Sequence, residues 1–200
     1  SRRQDALTDP LAYYKQHIGS MQDIFRFIVT HPDMDHMTGL HRVHAQEPLI
    51  NLQNFWHIGP HDFNLADTTD DEWESSRFDR RDWETYQQIR DGAGTPKSLV
   101  KRQGEAGDFW TQDGVEIWAP TQALVDDAVE KDEPNIASLV LKISYKGKSI
   151  VLGGDATSEE TWPAIHGSVD MSSVWVLKAS HHGRKSGYYG PTVKDMAPWL

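Results

Sequence analysis

The chain reads as a layered α/β protein, and three observations lead there. Apolar, β-branched runs that suit strands (Ile24–Thr30, Ser138–Tyr145, Ser149–Leu152, Ser173–Leu177) alternate with stretches that carry helix caps and helical spacing. Three of those runs end in a short loop holding aspartate or histidine, and strand ends in such folds gather along one edge. The length of 200 residues, 38% hydrophobic and 25% charged, suits one globular domain with a real core.

Residues 8–19 predict a short helix, with Thr8 or Asp9 as N-cap, Pro10 in its first turn and Gly19 as its stop. Ile24–Thr30 predicts a strand buried on both faces that ends at His31-Pro32, because proline cannot extend a central strand. Met37–Ala45 predicts a short helix. Between about 46 and 112 the periodic signal fades among acidic residues and tryptophans, which predicts an acidic insertion with one helix near Arg81–Arg90 and little sheet. Val115–Trp118 predicts a strand stopping before Pro120, and Gln122–Lys131 a helix. Ser138–Tyr145 and Ser149–Leu152, flanking Lys146-Gly147-Lys148, predict a β-hairpin. Ser158–His166 predicts a helix capped by Ser158, and Ser173–Leu177 a last strand.

With 30 acidic and 20 basic residues the net charge is −10, which argues against an extended basic surface for nucleic acid. No apolar run approaches the ~18 residues of a membrane helix. Cysteine is absent, so any metal must be held by nitrogen and oxygen, and the ten histidines are the obvious donors. The compartment stays open, with the cytoplasm favoured; the oligomeric state is open as well.

The strongest chemical signal is His31-Pro32-Asp33-Met34-Asp35-His36, four good ligands packed directly behind a strand. A strand end fixes the backbone, so a loop here can aim several side chains at one point. Gly153-Gly154-Asp155 follows the strand SIVL, and its carboxylate stands where it could bridge two cations. His181-His182-Gly183 follows the strand SSVWVLK; adjacent side chains diverge, so one histidine is expected on metal and the other toward substrate. Each piece alone also reads as an ordinary polar turn. Their coincidence at three strand ends is what points to a metal site. His17, His41, His44 and His166 read as ordinary polar histidines. Trp56, Trp73 or Trp83 could stack on substrate, and Lys178, Arg184 or Lys185 could hold a phosphate.

The run THPDMDHMTGL, then LVLKISYKGKSIVLGGD, then LKASHHG resembles the metallo-β-lactamase superfamily. It looks closest to the branch with the ComEC-type competence proteins and the choline-phosphate esterases. The resemblance covers about residues 20–45 and 135–190. It implies a four-layer αββα sandwich, with His31, Asp33, Asp35, His36, Asp155 and His181 as ligands to two divalent metals, zinc first with manganese or iron as alternatives. Asp155 would bridge the pair. Asp33 stands where β-lactam-hydrolysing members usually carry histidine, which makes the site harder and favours a phosphoester. The family's middle histidine has no clear counterpart, since His57 and His61 lie in the interval without its context. The paired strands expected before the histidine motif and the strands expected after the last histidine are not seen, so the chain is expected to be a segment of the sandwich.

The expected activity is hydrolysis of a small-molecule or nucleic-acid phosphoester by metal-activated water. Asp35 would orient that water while ligating, and His182 would stabilise charge or protonate the leaving group. Hydrolysis of a lactone, thioester or β-lactam is the alternative enzyme, and a metal-binding or regulatory module without turnover is the alternative outside catalysis.

Overall fold

The computed structural model describes residues 9–18, 23–45, 50–59, 61 and 63–197. Thr8 and Gly19, expected at the ends of the first helix, lie outside them. Helix α1 (Pro10–His17) starts as anticipated, with the Asp9 carboxylate accepting the Leu11 N–H at 2.9 Å. Strand β1 (Ile24–Ile28) follows, but it is an edge strand and Phe25 is exposed. The expectation of burial on both faces is therefore corrected. The single helix expected over 37–45 is two, α2 (Met34–Met37) and α3 (Leu40–Ala45), because Gly39 between them takes a left-handed φ of 93°.

Segment 46–112 holds more sheet than its sequence promised. Strand β2 (Leu52–His57) pairs in parallel with β1, and after helices α4 (Asp70–Ser75) and α5 (Arg80–Asp91) strand β3 (Lys97–Val100) pairs in parallel with β2, giving the order β1-β2-β3. Polar Gln53, Asn54 and His57 hid β2 from a hydrophobicity reading, yet its successive residues Phe55 and Trp56 are both buried. Successive strand residues point to opposite faces, so each packs a different core. Phe55 joins Val29, Met34, Met37, Leu40, Trp83, Tyr86 and Ile89 under α2, α3 and α5. Trp56 joins the larger core built by the second sheet. Each such side chain contributes about 1.5–3 kcal/mol on burial.

Helix α6 (Asp108–Gln112) leads to the second sheet. Its strands are β4 (Val115–Ala119), β5 (Val140–Tyr145), β6 (Lys148–Leu152) and β7 (Val174–Lys178), in that spatial order. The first two pairings are antiparallel and β6–β7 is parallel. The β5–β6 hairpin is present where expected; Lys146 (φ 48°) and Gly147 (φ 76°) supply the two positive φ angles of a tight hairpin turn. Helix α7 (Gln122–Lys131) has Thr121 as N-cap and buries Leu124, Val125 and Ala128. Helix α8 (Thr161–Ile165) starts later than expected. The Thr157 hydroxyl, rather than Ser158, accepts the N–H groups of Glu160 (3.3 Å) and Thr161 (3.1 Å). Helix α9 (Gly190–Met196) closes the described chain. The protein is thus mixed α/β, with two sheets and packed helices. Among the described residues no helix is long and apolar enough to cross a membrane.

Candidate metal centre

Three loops meet at one point. The first leaves β1: the Val29 N–H bonds Trp56 O at 3.0 Å, and Thr30 O then accepts the Leu139 N–H at 2.9 Å. That last bond seats the His31–His36 loop against the start of β5. Asp33 is the N-cap residue of α2, so Asp35 and His36 ride on its single turn. The second loop, Gly153-Gly154-Asp155, leaves β6. A β-carbon on Gly153 would collide with Ser180 Oγ, so only glycine allows this approach. The third loop leaves β7 and is drawn in by the His181 N–H, which bonds Gly154 O at 3.1 Å.

Asp35, His36, Asp155 and His182 each offer one ligand atom, all within 4.8 Å of one another. His36 Nε2 lies 3.3 Å from Asp155 Oδ2, 3.7 Å from Asp35 Oδ2 and 3.4 Å from His182 Nε2. His182 Nε2 lies 3.0 Å from Asp35 Oδ2 and 3.1 Å from Asp155 Oδ2. Two donors on a tetrahedral dication with bonds of about 2.0–2.1 Å stand roughly 3.3–3.4 Å apart. The spacing of the group brackets that value, and it could hold a metal ion.

Beside it stands His31, fully buried at 0% exposure. Its Nδ1 lies 3.0 Å from both Thr30 Oγ1 and Ser138 Oγ. Its Nε2 has no hydrogen-bond partner, and neither does Asp155 Oδ1. Asp33 Oδ2 stands 3.6 Å from His31 Nε2, and the His31 and His36 rings are 4.2 Å apart between centroids. An unpaired buried polar atom costs about 1–3 kcal/mol, more when charged. A cation is one partner that would serve a nitrogen lone pair and a carboxylate oxygen alike.

The electrostatics show an anionic environment at the group, one that attracts positive charge. Burial holds the His31 pKa below 6.5, against the pull of Asp33, which keeps the ring neutral. Burial also disfavours a charged His36, but hydrogen bonding and attraction from Asp155, with Asp35 and Asp33 adding, outweigh it and raise its pKa above 6.5. Burial likewise works against an ionised Asp155, yet His36, His31 and His182 together bring it down to about 2. Asp155 is therefore an anion across the physiological range.

Of the two adjacent histidines, the ligand-spaced group takes in His182 and not His181, which was expected there. The His181 Nδ1 lies 3.0 Å from Ser186 Oγ. Both residues have positive φ, 48° and 54°, which turns the His182 ring back toward Asp35 and Asp155. Asp33 also lies outside the four-residue group, against His31. Ser138 was missed by the sequence reading: besides meeting His31, its Oγ accepts the Asp155 N–H at 3.1 Å and so aligns two loops. His57 is buried and held by the Gly59 N–H (3.1 Å) and Ser98 Oγ (2.9 Å), away from the group. Trp56 and Trp83 are core residues, which removes them as stacking surfaces. Trp73 alone of that set borders an open cavity of about 280 Å³ with Asp33, Asp35 and Phe78. Lys178, Arg184 and Lys185 are exposed.

Compared with known proteins, the chain matches no family model, no curated protein and no solved structure.

Proposed function

We propose that this is a metal-dependent hydrolase of the metallo-β-lactamase type, acting on a phosphodiester or related phosphoester with two divalent cations, zinc first. The observation that carries the reading is the convergence of Asp35, His36, Asp155 and His182 from three loops at ligand spacing. The unpartnered His31 Nε2 and Asp155 Oδ1 support a second ion beside the first. His31 and Asp33 would hold that ion, with Asp155 shared between the two. With its proton on Nδ1, donated to the Ser138 or Thr30 hydroxyl, His31 presents its Nε2 lone pair. Bound cations would polarise the ester oxygen and make water a competent nucleophile near neutral pH.

The chain's own residues divide the remaining work by exposure. His31 and Asp155 are buried and anchor the centre, while Asp35 and His182 have side chains 43% and 48% exposed. Asp35 Oδ2 is thus the carboxylate that an attacking water reaches, and it orients that water by accepting its hydrogen bond. The oxygen-rich donor set around Asp33 suits a phosphoester better than a β-lactam.

The test is metal content with turnover. Protein purified from zinc- or manganese-supplemented cells should retain metal and hydrolyse bis(4-nitrophenyl) phosphate, and Asp155→Ala should lose both. A metal-loaded parent that leaves phosphodiesters untouched but hydrolyses a lactone, thioester or β-lactam would move the substrate class. A metal-loaded parent that hydrolyses none would support the second reading, a metal-binding module without turnover. His57, tied to Ser98 and Gly59, favours that second reading, because it takes one of the two histidines of the expected interval away from the centre.

A further inference from the structure

Thr30 lies between the first strand and the His31–His36 loop. Its Oγ1 is 3.0 Å from His31 Nδ1 and 3.4 Å from His36 Nδ1, so one hydroxyl meets a ring nitrogen of two histidines. The other nitrogen of each ring is turned elsewhere. His31 Nε2 has no hydrogen-bond partner and stands 3.6 Å from Asp33 Oδ2, while His36 Nε2 stands 3.3 Å from Asp155 Oδ2. His31 Nδ1 has a second neighbour, Ser138 Oγ at 3.0 Å. Among the described residues Thr30 Oγ1 is the one hydrogen-bond partner of His36 Nδ1.

Proton counting limits what this hydroxyl can do. A hydroxyl carries one proton and two lone pairs, and a neutral imidazole carries one N–H and one lone pair. If Thr30 donated to either ring, that ring would hold its lone pair at Nδ1 and its proton at Nε2, closed to a cation. Accepting one N–H on each lone pair leaves both Nε2 atoms open. We propose that Thr30 is a positioning residue of the metal centre, whose Oγ1 accepts Nδ1–H bonds from His31 and His36 together and fixes both rings with Nε2 offered to metal. The role toward metal rests on the function proposed above; the hydrogen bonds do not. His31 keeps Ser138 when the Thr30 hydroxyl is lost, whereas His36 keeps no acceptor at Nδ1, so the ion at His36 suffers more.

Thr30 also packs, since a β-carbon on Gly154 would stand 3.1 Å from Thr30 Cβ. Thr30→Val keeps that shape without the hydroxyl, and Thr30→Ser keeps the hydroxyl in a smaller side chain, so packing and positioning predict opposite rankings. In competition with a zinc chelator, Thr30→Ser should stay near the parent and Thr30→Val should bind zinc roughly 10–100-fold more weakly. Equal affinities, or the reverse ranking, would overturn the proposal. Should Thr30→Val not fold, Thr30→Ala against Thr30→Ser isolates the hydroxyl again. A second measurement needs no metal: proton–nitrogen correlation NMR of the chelator-treated full chain reads which nitrogen of the uncharged His31 ring carries the proton. Ser138→Ala should leave it on Nδ1, where Thr30 still accepts, and adding Thr30→Val should move it to Nε2, toward Asp33. A proton that stays on Nδ1 in the double variant overturns the assignment. A parent that binds no zinc fails the metal reading and not the hydrogen bonds, and the proton shift then upholds the part Thr30 plays in setting the ring.

Discussion

The Nε2 atoms of His36 and His182, 146 positions apart in the chain, lie 3.4 Å from one another. His181, next to His182, instead turns its Nδ1 to Ser186. Metal content separates the two neighbours. His182→Ala should lose at least one equivalent by elemental analysis, because it deletes a donor with two carboxylate contacts. His181→Ala should keep the parental stoichiometry. Equal losses in both variants would show that the loop as a whole, rather than the His182 ring, holds the ion.

In the metal-free chain His36 titrates above its ordinary 6.5. A raised histidine pKa means that its charged form is favoured by folding, so this contribution is fully present below about pH 6.5 and is lost as pH rises through the folded value. An NMR titration of the chelated protein should place the His36 midpoint above 6.5, and Asp155→Asn, which removes the main attraction, should lower it. An unchanged midpoint in that variant would remove Asp155 as the cause.

His57 runs the opposite way. Burial, with Gly59 opposing and Arg90 adding, brings its pKa down to about 4. The unfolded chain then binds more protons between pH 6.5 and 4, so stability falls as pH falls through that window, by about 3 kcal/mol at most. His57→Gln keeps a side chain able to meet Ser98 and cannot charge. Its urea midpoint should change less between pH 7 and 4.5 than the parent's; parallel curves would assign the acid loss elsewhere.

Asp82 on α5 is buried and accepts the Gly39 N–H (2.9 Å), the His41 N–H (2.9 Å) and a contact from His41 Nδ1 (2.6 Å). It therefore fixes the start of α3, the segment that follows Asp35 and His36. Asp82→Ala leaves these donors unpaired and should cost about 2–4 kcal/mol, lowering the thermal midpoint by several degrees. A shift below one degree would mean that water replaces the carboxylate.

Much of the site was legible because its signals are local. His31 to His36, Asp155 and the histidine pair each follow an apolar run that did become a strand or its immediate extension. What was not legible depends on backbone conformation and on distant partners. Which of His181 and His182 turns inward is decided by two left-handed residues, and no residue type there announces them. Ser138 is one hydroxyl in a serine-containing strand entry until Leu139 bonds Thr30 and brings it beside His31. Strands β2 and β3 escaped notice because β2 mixes polar residues into its run and β3 has only four residues, half of them polar. The pairing of β2 with β1 and of β3 with β2 is a tertiary fact, and tertiary context overrides weak local propensity.

The central claim is that the three loops form a metal-binding centre, and its most direct measurement is an anomalous difference map from crystals of the full chain grown with excess zinc. A peak is expected about 2.0–2.2 Å from His36 Nε2, His182 Nε2 and Asp155 Oδ2, with a second, near His31 Nε2, roughly 3.5–4 Å away. Ordered loops with no peak among these atoms, or zinc bound only at surface histidines such as His166, would contradict it.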